Sequence, residues 1–207
     1  MDIQKIKSQD WVLLVAVVLL VVAFTNFMFV LKDVSDYSKW TGYATDTGKA
    51  NLTVSSEANI IFFVNNTDWG AGGVNGSIET YADLFTNGTV SAAGSWSVNN
   101  QPLVLENVGN SNVYVDLKAN NTAQQFINGT NPEYEIEVSD NESTSCSGGV
   151  GNFSAYQTIG PVYNRTCDNF GYSDDSDSLN VDIHVRVPQD SPTGTKASII
   201  TASAEVV

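Results

Sequence analysis

Leu179-Asn180-Val181-Asp182-Ile183-His184-Val185-Arg186-Val187, closed by Pro188, is the stretch that decides the class of this fold. Apolar and polar residues alternate without a break, the period of a strand with one face on a core and one on solvent. A helix would scatter these side chains around its circumference. Pro188 cannot donate to a sheet ladder and ends the run. On this reading His184 lies with Asp182 and Arg186 on a solvated polar face.

The same period recurs on both sides. Ala50, Leu52 and Val54 alternate with Asn51 and Thr53 and predict a half-buried strand. Ile60 to Val64 (IIFFV) is short and wholly apolar, the pattern of a central strand covered on both faces. Ile78, Thr80, Ala82 and Leu84 alternate with Glu79, Tyr81 and Asp83. Leu103–Glu106 and Val113–Lys118 flank NVGNSN, which reads as a β-hairpin connection with Gly109 at positive φ. Tyr134, Ile136 and Val138 form another strand, and a last one runs from about Lys196 to Val206. Asn65 to Gly76 is a turn-rich loop in which Trp69 closes one end of the core. The expectation is a mainly β chain of about eight short strands in one antiparallel β-sandwich, immunoglobulin-like or jelly-roll. The local patterns leave the strand order open, and no helix is expected after Lys39.

Before these strands the chain has another character. Trp11 to Leu31 (WVLLVAVVLLVVAFTNFMFVL) carries no charge. As a helix it measures about 31 Å, the thickness of a bilayer core. Asp10 is placed to cap its first turn, and Trp11 and Lys32 to anchor its ends at the interfaces. The apolar run is too long for an ordinary cleaved signal. The organisation expected is a basic leader over 1–10, a hydrophobic helix over 11–39, a linker over 40–48 (TGYATDTG at its centre) and an extracellular sandwich over 49–207.

Charge and cysteines narrow the function classes. Twenty-three acidic residues stand against nine basic ones, a formal charge of -14. Such a body repels nucleic acid and anionic lipid headgroups. Cys146 and Cys167 flank a glycine-rich stretch and read as one disulfide formed outside the cytoplasm.

Nine N-x-[ST] acceptors begin at Asn51, Asn65, Asn75, Asn87, Asn120, Asn128, Asn141, Asn152 and Asn164, all after the apolar helix. Given the Asn, Ser and Thr content, chance spacing gives about four. The excess favours N-linked glycans on an exported body, although turn chemistry alone also recruits these residues.

Little else carries chemistry. Asp174, Asp175 and Asp177, with Asp168, are weak candidates for Ca²⁺, and their spacing matches no EF-hand loop. Two cysteines and one histidine are too few for an ordinary zinc site. No G-x-S-x-G elbow is present and no carboxylate pair stands out, so no catalytic residue is assigned and no enzyme is expected.

Lys5-Ile6-Lys7-Ser8-Gln9-Asp10-Trp11, followed by VLLVAVVLLVV, resembles the class III leader of archaeal type IV pilin-like proteins, including archaellins and adhesion pilins. The phrases LENVGNSNVYVDL and VPQDSPTGTKASI look like hairpin and closing-strand phrases of archaeal surface sandwiches. The resemblance implies cleavage between Ser8 and Gln9, helices bundled with copies of themselves in a filament core, and glycosylated heads as the sheath. Ser8 stands where glycine is commoner, and no Glu lies near the fifth position after the cut. Two expectations follow. The first is a structural subunit of an extracellular, pilin-like surface filament. The second is a single-pass, membrane-anchored surface glycoprotein whose ectodomain binds a ligand, a partner cell or a surface layer.

Overall fold

Inward rows of apolar side chains on two sheets generate a single core. The computed structural model describes residues 3–40 and 51–207, and the side chains of the N-terminal helix from 11 to 31. The chain divides at Thr53/Val54 into two compact units. The first carries helix α1 (Ile3–Trp40). It starts earlier than expected, so Asp10 lies inside it rather than at its cap. The leader residues are good helix formers and simply continue the turn. Apart from Trp40, the expected linker lies outside the described residues.

The second unit is mainly β, with antiparallel sheets stacked as a sandwich. Its strands are β1 (Ile60–Val64), β2 (Tyr81–Phe85), β3 (Leu103–Asn107), β4 (Val113–Ala119), β5 (Glu133–Asp140), β6 (Gln157–Thr158), β7 (Asn164–Phe170), β8 (Ser178–Pro188) and β9 (Ile200–Val206). A larger sheet runs β1-β3-β8-β5-β6, with β2 also on β8, and a smaller one runs β7-β4-β9. The long β8 is shared on one side: β3 pairs with its first part and β2 with its last. A one-turn helix α2 (Ala123–Phe126) and a 3-10 turn (Gly151–Phe153) are the described helical segments after α1. Thr122 and Gln125 cap α2 reciprocally, a capping box that the strand period hid.

Four expectations need correction. Residues 51–54 form no strand, and Leu52 and Val54 are exposed. Ile60–Val64 is an edge strand with alternating burial, so Ile61 and Phe63 face outward. β3 and β4 do not form a hairpin. They belong to different sheets, because Leu103, Leu105, Val113, Val115 and Leu117 all face one core from opposite sides. NVGNSN is therefore an arch between layers. Gly109 does not take positive φ there. Glycine is required instead by close approach, since a Cβ would lie 2.4 Å from the Glu57 carbonyl oxygen.

Asn107 holds that arch. It is 1% exposed. Its amide nitrogen donates to the carbonyls of Ser111 at 3.0 Å and Gly171 at 2.9 Å, and its oxygen accepts from Gly109 N–H at 3.1 Å. Asn107→Ala strands these buried groups and is expected to cost roughly 2 kcal/mol, read as a lower urea midpoint at unchanged m-value.

Candidate assembly helix and modification sites

Three features of the chain could carry function, and the helix is the largest. Over Trp11–Leu31 it is long and apolar enough to cross a membrane, and none of it is buried within the chain. Apolar side chains point in every direction, so no single face marks a partner. Its two polar side chains in the middle are satisfied internally. Thr25 Oγ1 donates to the Val21 and Val22 carbonyls at 3.0 and 2.9 Å, and Asn26 Nδ2 donates to Val22 O at 3.0 Å. In the middle of the apolar run, Thr25 and Asn26 therefore turn donors back onto the helix backbone and away from an apolar surrounding, whether lipid or other helices. Ser8 and Gln9, where the resemblance puts a cut, lie within its first turns.

The acceptor asparagines form the second feature. All nine, Asn51, Asn65, Asn75, Asn87, Asn120, Asn128, Asn141, Asn152 and Asn164, are exposed. Their side chains differ in freedom. Asn75 and Asn87 each accept the backbone N–H of the Ser or Thr two residues on, at 3.1 Å, with no bond from the amide nitrogen among the described residues. By contrast, the amide nitrogen of Asn141 donates to Ser178 Oγ and that of Asn164 to the Val162 carbonyl. Asn128 sits in the left-handed region at φ 65°. Its Thr130 is bound through N–H and Oγ1 by Asp190, and these bonds hold that carboxyl below the usual range.

The third feature was hidden in the sequence. His184 is not on a solvated face but is 4% exposed. Phe85 stacks on its ring with centroids 4.3 Å apart, and Tyr156 covers it edge-on. Its Nε2 meets Asp83 Oδ1 and its Nδ1 meets Glu135 Oε2, both at 2.9 Å. Arg186 joins Asp83 to Glu133 and lies over the Tyr81 ring. Hydrogen bonding to Asp83 holds the guanidinium pKa above its ordinary value. Burial, then Asp182 and Glu137, push the Tyr156 hydroxyl up to about 12.

Asp83, Glu133 and His184 bring one ligand atom each within 4.8 Å of the others, which invites a metal reading. The directions argue against it. The carboxylates meet opposite ring nitrogens, so they enclose the imidazole instead of converging on one point. Arg186 already pairs with two of them, Asp83 and Glu133. The cluster is best understood as a polar clamp across β2, β8 and β5.

The expected Ca²⁺ candidates are not assembled. Asp174 and Asp175 are exposed on a turn, and Asp168 pairs with Arg165 at 3.5 Å. At Asp177, desolvation, then the charges of Glu142, Glu106 and Asp174, raise the carboxyl pKa. A raised carboxylate pKa means that ionisation is disfavoured in the folded state. The fold therefore gains stability as pH falls through the folded value, and carries a penalty above it. Asp177→Asn is expected to add less than about 1 kcal/mol of stability at pH 7, because the site is partly solvated, read as a higher thermal midpoint. The gain should vanish near pH 3.

These features define a mainly β protein with one apolar N-terminal helix. A disulfide joins Cys146 to Cys167, as the sequence predicts, and fits an oxidising compartment. No family model matches the chain, no curated protein matches its sequence, and no solved structure matches its fold.

Proposed function

We propose that this chain is a structural subunit of an extracellular surface filament, built in the manner of archaeal pilin-like proteins. Helix α1 provides the assembly element and the sandwich provides a glycosylated outer head. The observation that carries this reading is a charge-free helical surface of 21 residues with no cover from the chain itself. Such a surface leaves water only by entering lipid or by packing on copies of itself. The exposed acceptor asparagines and the disulfide support an exported head. The polar clamp around His184 serves stability and offers no nucleophile paired with a free base.

N-terminal sequencing of the mature chain, with electron microscopy of shed surface material, tests the proposal. A start at Gln9 together with filaments is the expected result. An intact Met1 confined to membranes, with no filaments, contradicts it and favours the single-pass, membrane-anchored glycoprotein. Glycosylation is read separately, as mass above that of the polypeptide that Asn75→Gln and Asn87→Gln reduce.

A further inference from the structure

We infer that the heads are joined by strand addition, in which residues 51–54 of one copy enter the open seam between β1 and β9 of a second copy. The inference rests on the filament reading and names the contact that would link the heads.

Strand β1 is one edge of the larger sheet and β9 one edge of the smaller, and the two edges lie beside each other on one side of the sandwich. Their inward residues Ile60, Phe62, Ile200, Ala202 and Ala204 pack on the core yet stay only partly buried. At one end the seam widens into a cleft of about 260 Å³, lined by Phe62, Leu103, Tyr134, Ile183, Ile199 and Ile200 among others. Ile199 on its rim is 64% exposed. Strand β9 lacks the usual protections of an edge. It pairs with β4 over seven positions in unbroken register, and holds no proline, no lysine and a single charge, Glu205.

Residues 51–54 supply what this edge lacks. Asn51-Leu52-Thr53-Val54 has the period of a half-buried strand and no charge, yet it joins no sheet among the described residues. Leu52 is 88% and Val54 74% exposed. Added to the seam, the segment would satisfy edge backbone groups and place Leu52 and Val54 over the open inward row.

The partner is a second copy because of where the chain leaves the body. Residues 55–59 are tied along the β3–β4 arch. Asn110 donates to the Ser55 carbonyl at 2.9 Å and accepts Glu57 N–H at 2.7 Å, while Val108 N–H bonds Asn59 O at 2.9 Å. The arch lies at the end of the sandwich where β9 finishes, and the cleft lies where β9 begins. The intervening β1 spans about 17 Å. Donor exit and acceptor cleft at opposite ends make a head-to-tail contact, which repeats into an open filament wherever the rotation between copies does not close a ring.

Two variants of the full-length chain, recovered from surface material, test this. Both native cysteines are bonded, so Leu52→Cys with Ile199→Cys introduces the pair of free thiols. A ladder of covalent oligomers on non-reducing gels, absent from either single variant, is expected. Leu52→Asp with Val54→Asp changes side chains that are exposed in the isolated chain, so the melting of the head should not move. The assembled fraction should fall by about tenfold, as when central anchors of an interface are lost. Filaments that show neither effect overturn strand addition and leave the filament reading intact. A wild-type chain that forms no oligomers at all overturns both.

Discussion

Replacing the cystine by Cys146→Ala with Cys167→Ala should lower the stability of the head by roughly 3 kcal/mol, the loop-closure value for the 21-residue separation. For a unit of this size that is a fall of roughly 6–12 °C in thermal midpoint. The bond ties the strand-free stretch after β5 to β7, an outer strand of the smaller sheet. Cys167 is fully buried within β7, so part of the loss will come from packing. Differential scanning calorimetry of the oxidised parent and the double variant checks the number. A shift below 2 °C would mean that the cross-link constrains little that the sheets do not already hold. Dithiothreitol should reproduce the shift in the parent and leave the variant unchanged.

A single charge in the helix should have the largest functional effect. Leu20 lies near the middle of the apolar run and is 69% exposed. Leu20→Lys adds roughly 3 kcal/mol to the cost of holding the helix in an apolar surrounding. In a bundle the cost recurs in each subunit, and like charges would be brought together. The expected outcome is loss of the chain from membranes and surface filaments, with accumulation as aggregate or degraded protein. Leu20→Phe keeps the apolar character and should assemble normally. Quantitative immunoblotting of surface, membrane and soluble fractions separates the two.

Much of the architecture could be read from the residues because burial is local in period. β8 alternates from Leu179 to Val187 and is the central strand of the larger sheet. Cys146 and Cys167 pair as their spacing suggested, and all nine acceptor asparagines are exposed. What failed depends on which strands meet. IIFFV looked doubly covered because hydrophobicity alone cannot say whether a partner layer exists over Ile61 and Phe63. Leu103–Glu106 and Val113–Lys118 looked like hairpin arms, since neighbours in sequence usually pair, but their inward rows face each other across the core.

The clamp on His184 was invisible for the same reason. Glu133 and Glu135 on β5 stand opposite Arg186 and His184 on β8, while Asp83 and Phe85 on β2 oppose the same two residues from the other side. Each segment alone shows an ordinary polar row. Only the register, between segments far apart in the chain, turns those rows into a clamp and lets Phe85 and Tyr156 cover the histidine.

The proposed function, and the strand addition built on it, rest on helix α1 being removed from water. Sedimentation of the full-length chain in detergent-free buffer measures that directly. The account predicts that the chain pellets, as filaments or with membrane, and that detergent releases it. A full-length chain that stays in the supernatant as a monodisperse monomer without detergent would contradict the account.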